Sequence, residues 1–371
     1  MGASDQAVSD NKLGFALMMG GWLPPETLRV GESHIFIQSR REAMTTANRY
    51  GIDSMFYTGN SPWQGVGTPL DGAATAEEAI VAAGLDWEVG LRRAFIESPS
   101  STELNPQFFE DPNHKALARL DTGKVFQYFS DRYEPFQNRD AFTFLDPVKG
   151  SSVYHSAGSL KGGSIVFLYS MYPEPLVLPG GETIEMGILL TTTHDGSGSV
   201  HARFLDNRTR CCNTLPGVLR MGRGQAHEFK AMHTRSLESK IEEARRFMGL
   251  EDAHRKALEL TVNSLANTHI TAQERDVFLT HLFGQQENPE EVGTRIRNQM
   301  VEVDRLFSEG IGNEGWSRWD MLNGVTEFTT HHKSVRGGES EKANRLHSNW
   351  FGTGRRLNDS AMKLLMEGIE G

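Results

Sequence analysis

The sequence predicts an α+β fold: an antiparallel β-sheet domain over residues 56–226, then an all-helical domain over residues 227–371, with residues 1–55 as an N-terminal extension or arm. Two patterns carry this. Between residues 123 and 215, short apolar runs follow one another with only brief, turn-rich links. Such links suit antiparallel neighbours, because parallel strands need long crossovers. From His227 onward the apolar period lengthens from 2 to 3.6, the helical value. The chain of 371 residues, 38% hydrophobic and 23% charged, is long enough to bury a substantial core.

The elements follow in order. Ser33–Gln38 reads as a short strand and Arg40–Tyr50 as a helix within the extension. Pro62-Trp63-Gln64-Gly65-Val66-Gly67 is a loop dense in turn formers. Thr75-Ala76-Glu77-Glu78 has the spacing of a capping box and opens a helix to Ala83, stopped by Gly84. Trp87–Phe95 alternates as a strand, Val125–Phe129 reads as an aromatic strand, and a short helical turn after Gln137 carries Ala141, Phe142 and Leu145 inward. Val153–Gly158, Ser164–Met171 and Met186–Thr193 continue the sheet. Helices are expected over Ser239–Met248, Glu251–Ala266, Thr271 to before Gly284, Pro289–Glu309, Gly315 to about His332, Glu341–Phe351 and Asn358–Glu367.

The stretch richest in functional side chains runs from Thr191 to Leu215. Asp195-Gly196 supplies the positive φ of a tight turn, and the strand after it alternates. His201, Arg203, Leu205 and Asn207 fall on one face, with Ala202, Phe204, Asp206 and Arg208 on the other. Arg203, Arg208 and Arg210 sit close together just before the adjacent Cys211 and Cys212. His194, Asp195, Cys211 and Asn213 make this hairpin the candidate site.

The phrases Thr193-His194-Asp195-Gly196-Ser197 and Arg208-Thr209-Arg210-Cys211-Cys212-Asn213-Thr214-Leu215 resemble the phage/plasmid-like family catalogued as domain of unknown function 932. Supporting phrases are Pro62–Gly67, Tyr133–Phe142, Ala157–Gly163 and Trp350–Gly354, so the resemblance spans roughly residues 60 to 365. Gln64 stands where the family often carries His. The resemblance implies a protein of a mobile genetic element and assigns no activity.

Charge and motifs narrow the remaining classes. The net charge of −10 excludes a globally basic binder, yet residues 201–256 hold twelve Arg or Lys against seven Asp or Glu. Residues 318–363 hold eight against five. A phosphate backbone responds to such local stripes, because screening cuts the field within about 8–10 Å. The residues expected to contact it are Arg203, Arg208, Arg210, Arg220, Arg223, Lys230, Arg235, Arg245, Arg246, Arg355 and Arg356. Tyr128, Phe129, Tyr133 and Phe204 are aromatics able to stack bases if exposed, although most such residues pack in cores.

No Gly-x-Gly copy has the context of a nucleotide-phosphate loop, and the spacing of His194, Asp195, His201, Cys211 and Cys212 matches no closed metal pattern. No metal, cofactor or catalytic residue is therefore assigned. Two adjacent cysteines make no disulfide framework, no secretory leader opens the chain, and Ile165–Tyr172 is too short to cross a bilayer.

The expectation is a cytoplasmic, non-membrane, non-enzymatic protein that binds single-stranded nucleic acid, acts in single-strand annealing or recombination, and forms a homo-oligomer. The alternatives are a metal- or cysteine-dependent hydrolase of nucleic acid or nucleotides centred on His194, Asp195 and Cys211, and a host-interaction protein that counters a bacterial defence.

Overall fold

Long apolar runs rather than clean alternation mark the central strands, and the fold explains why: the main sheet is covered on both faces. The computed structural model describes residues 52–59, 67–71, 75–145, 153–178, 181–209, 213–216, 228–233, 250–284, 293–335 and 341–367, all within one compact unit, Arg40–Gly371. The strands are β1 (Ile52–Thr58), β2 (Thr68–Leu70), β3 (Val89–Glu97), β4 (Phe108–Arg119), β5 (Val125–Phe129), β6 (Val153–Leu160), β7 (Ile165–Met171), β8 (Leu176–Val177), β9 (Thr183–Thr193), β10 (Val200–Arg208) and β11 (Glu228–Ala231). The helices are α1 (Ala76–Ala82), α2 (Asn138–Leu145), α3 (Glu251–Ala266), α4 (Ala272–Phe283), α5 (Thr294–Glu309), α6 (Arg318–Glu327), α7 (Glu341–Phe351) and α8 (Thr353–Glu367), with a π-helical turn, Phe328–His332, continuing α6.

The main sheet runs β11-β10-β9-β7-β6-β1-β2, with β8 beside β9, and the second sheet is β3-β4-β5. Pairing is antiparallel throughout except between β1 and β2. Pro69 sits in that edge strand, opposite Tyr57, where a missing N–H is tolerated. Gly158 in β6 lies where any Cβ would collide with the Ser54 carbonyl of β1, so only glycine permits this crossing.

One face of the main sheet, including Leu168, Ile188, Leu190 and Ala202, joins a cluster that continues through α1, α2, the second sheet and the helices α3–α6. The other face, with Phe167, Tyr169, Leu189 and Leu205, is covered by Ala343, Leu346 and Trp350 of α7. Trp350 meets the Phe167 ring edge-on at 4.9 Å. Among the described residues, no helix is long and apolar enough to cross a membrane.

The α+β reading holds, with sheets in the first and middle regions and helices after them. The capping boxes expected at Thr75–Glu78 and Thr271–Glu274 are formed, and Ala141, Phe142 and Leu145 point inward. Five elements differ. β1 and β2 were not expected, and β1 begins at Ile52, inside the stretch read as an N-terminal extension. β4 was not expected, because Asp111-Pro112-Asn113 reads as a turn; the Asp111 carboxylate accepts from the Asn113 and His114 amides there, and the pairing with β3 breaks at this point before resuming. β11 stands where helix was expected from His227; four residues are too few to show a period. α8 begins at Thr353 rather than Asn358. The expected elements before Ile52, the Trp63 loop and the Ser239–Met248 helix lie outside the described residues.

We predict that Trp350→Ala lowers the unfolding free energy by about 3–5 kcal/mol in a denaturant titration, the cost of an uncompensated core cavity. A loss below about 1 kcal/mol would contradict the covering role of α7.

Candidate functional site

Every residue of β10 is buried, although the strand carries a histidine, two arginines and an aspartate. The expected alternation is present, but the reading of its arginines as a surface that meets phosphate needs correction at Arg208. That side chain is 0% exposed. Its Nε donates to Glu182, and its guanidinium lies 5.6 Å from the Trp319 ring. Charge buried this deeply must be paired within the fold and cannot reach a nucleic-acid backbone. On the same face, His254 Nε2 donates to Asp206 at 2.8 Å, and the His254 ring stacks on Phe204 at 4.0 Å. Phe204 is therefore a core residue, not a stacking platform.

The chain then folds back on β10. Leu215 N donates to the Asp206 carbonyl at 2.8 Å, Arg208 N to the Asn213 carbonyl at 3.1 Å, and Thr214 Oγ1 to Asn207 Oδ1 at 3.1 Å. Asn213 is wholly buried and its Oδ1 accepts from His331 Nε2 at 3.0 Å. Arg210 and Cys211 lie outside the described residues, as do Arg220, Arg223, Arg235, Arg245 and Arg246.

His194 and Asp195 diverge. His194 is fully buried between Trp87 and Phe126, at ring distances of 5.4 and 5.5 Å. Its Nε2 donates to Asn138 Oδ1 at 3.1 Å, while Asn138 Nδ2 donates to the Leu85 and Trp87 carbonyls. Beside it, the Gln137 side chain both accepts from Val89 N and donates to Val89 O, imitating a strand partner. The Gln137-Asn138 and His194-Asp195-Gly196 phrases therefore meet as a latch between the turn after β9 and the chain entering β3. Burial pushes His194 down to about 4, with nearby His233 adding to the effect, so the ring is neutral near pH 7. Asp195 accepts from Ser197 within its own turn.

A second polar cluster lies where β10, β11 and α8 meet, and it unites three of the expected cationic residues. Glu228 accepts from His201 at 2.9 Å, from Arg355 at 2.8 Å and from Lys230 at 2.5 Å. These partners, His201 first, hold its carboxyl far below the usual range despite partial burial. Arg355 also reaches Asp359 at 3.4 Å. Arg203 is only 8% exposed, and its Nε and one terminal nitrogen have no hydrogen-bond partner among the described residues. Burial, and then the neighbouring Arg355, push it down to about 9.

The first turn of α8 adds a further group. Exposed Arg356 neighbours Lys333, whose Nζ donates to Thr353 Oγ1 at 2.7 Å. Burial, followed by Arg356 and Arg295, lowers the Lys333 value. Lys333 and Arg295 were not singled out in the sequence, because nothing local links them to the Gly352-Thr353-Gly354-Arg355-Arg356 phrase. Among the described residues, no group of three or more His, Cys, Asp or Glu side chains is placed to hold a metal ion.

The latch generates a pH prediction. A histidine whose folded value is about 4 against an ordinary 6.5 favours the native state only while neutral. Its contribution is complete above about pH 6.5 and is lost as pH falls toward 4. We predict that unfolding free energy declines across this window and that His194→Gln flattens the decline. An unchanged pH profile in the variant would contradict the assignment. Asn138→Ala should cost about 1–3 kcal/mol at neutral pH, because two buried carbonyls and the His194 ring lose their partner.

No curated protein and no solved structure matches the chain. A family model described as a domain of unknown function, DUF932, matches residues 125–350. That span contains Asn138 and His194 of the latch, all of β10 and the Asn213 fold-back. The match covers more than half of the sequence, and the chain belongs to the DUF932 family.

Proposed function

We propose that this protein binds single-stranded nucleic acid in the cytoplasm, as an annealing or recombination accessory of a mobile genetic element. The observation that carries the reading is the gathering of cations from five elements around the start of α8. Arg203 comes from β10, Lys230 from β11, Arg295 from α5, Lys333 from the end of the π-helical turn, and Arg355 and Arg356 from α8 itself. Glu228 and Asp359 offset only part of this charge. Arg203 is itself buried, so the groups of this patch that are open to an anionic oxygen are the exposed Lys230 and Arg356, with Arg203 adding positive charge beneath them. A chain of net charge −10 binds phosphate through such a local patch or not at all.

The burial of His194 between two aromatic rings removes the base on which a cysteine- or metal-dependent hydrolase would have rested. No specific observation favours that alternative.

The test is fluorescence anisotropy of labelled single-stranded and duplex oligonucleotides at several salt concentrations. Tight, salt-sensitive binding that prefers the single strand is expected. Each phosphate contact on a single strand contributes about 0.7 to the log–log salt slope, so the double variant Lys230→Glu/Arg356→Glu should bind more weakly with a slope shallower by about 1.4. Absence of binding at low salt would refute the function. Binding that the double variant leaves unchanged would refute the site.

A further inference from the structure

The second sheet turns an unusually apolar and arginine-bearing face to solvent. Register places Arg92, Ala116 and Tyr128 in one cross-strand row, and Gly90, Ala118 and Val125 in the next. The side chains of Ala94, Ala116 and Ala118 are buried at the floor, while Tyr128 (56% exposed) and Val125 (45% exposed) rise beside them. A shallow cleft of about 280 Å³ results, with Arg92, Arg93 and Arg119 among its lining residues; Arg119 is held by Asp121 through two hydrogen bonds at 2.7 and 2.8 Å. Arg92 donates only to the neighbouring Leu91 carbonyl among the described residues, at 3.3 Å. Arg93 reaches Glu110 at 3.3 Å, but both side chains are open to water and such pairs are easily exchanged. Phe95, 53% exposed, also lines the cleft.

We propose that this face is a base-stacking platform: an unpaired nucleobase lies against the Tyr128 ring over the alanine floor, and its phosphate meets Arg92 and Arg93. The inference rests on the single-strand reading above and extends it to a second site, which recognises bases rather than charge alone. Two features favour this occupant. A planar apolar ligand with an anionic tail complements a flat methyl floor flanked by a phenol and by the Arg92 guanidinium, which has no carboxylate partner among the described residues. The cleft is also at the lower end of the size of small-molecule sites, suited to one base and too small for a duplex.

The experiment pairs anisotropy with the fluorescence of a single-stranded oligonucleotide containing 2-aminopurine, whose emission is quenched by stacking. Four proteins are compared: wild type, Tyr128→Ala, Arg92→Ala and Lys230→Glu/Arg356→Glu. Tyr128 and Arg92 are exposed, so their substitution leaves the fold intact, as circular dichroism would verify. Tyr128→Ala should lower affinity about tenfold and change the 2-aminopurine signal, while leaving the salt slope near that of wild type. Arg92→Ala should reduce the slope by about 0.7, one phosphate contact. If wild type and the Lys230/Arg356 variant differ as expected but Tyr128→Ala matches wild type in affinity and emission, the platform is refuted and the phosphate patch stands. If wild type binds no single strand, both fall. A change of oligomeric state in Tyr128→Ala without any change in nucleic-acid binding would identify the face as a contact between copies and overturn the proposal.

Discussion

The fold depends on burying a charged strand. β10 is covered on both faces, yet it carries His201, Arg203, Asp206 and Arg208. A buried charge is tolerated only with a partner, and losing one partner costs more than never having the pair. Arg208 has Glu182 and the face of Trp319, and Asp206 has His254. These contacts draw the loop before β9, the helix α3 and the helix α6 onto the sheet. The Asn213 fold-back then closes the end of β10 with backbone and side-chain hydrogen bonds. Both arginines keep two nitrogens without a hydrogen-bond partner among the described residues, but those of Arg208 lie in the depth of the core and those of Arg203 next to a partly exposed ion cluster. One strand thus supplies both structural ion pairs and a cation with bonding capacity to spare.

The same division runs through the span that matches the family. His194 and Asn138 belong to phrases that look catalytic in isolation, since histidine beside aspartate is common in active sites. Their geometry is that of a latch, with the side-chain nitrogen and oxygen of Asn138 and the proton-bearing nitrogen of His194 committed to the fold. The surfaces proposed for binding lie elsewhere. One gathers charge around the first turn of α8, and the other presents aromatic and arginine side chains on the three-stranded sheet.

Much of the architecture was legible in the chain. The face assignment of β10, the capping boxes at Thr75 and Thr271 and the helices after Glu251 follow from periodicity and end signals alone. β4 was hidden because Asp111-Pro112 mimics a turn inside a continuing strand, and β11 because four residues display no period. The site was only partly readable. Lys230 and Arg355 were identifiable as basic residues, but their common partner Glu228 and their neighbours Lys333 and Arg295 are joined only by tertiary contact. Sequence also cannot tell Arg203 from Arg208: both lie on one strand near exposed basic residues, and only the packing on the two faces separates a surface-adjacent cation from a core one. Tyr128 and Phe129 were read together as aromatics able to stack bases, and the structure separates them: Tyr128 is exposed, while Phe129 stacks on Tyr133 at 3.7 Å.

The most direct test of the central claim is photo-crosslinking of the full chain to a single-stranded oligonucleotide, with the attachment points mapped by mass spectrometry. The account predicts crosslinks on the β5 peptide bearing Tyr128 and on peptides carrying Lys230 or Arg355–Arg356. Crosslinks confined to other surfaces, or none under conditions where a known single-strand binder reacts, would contradict it.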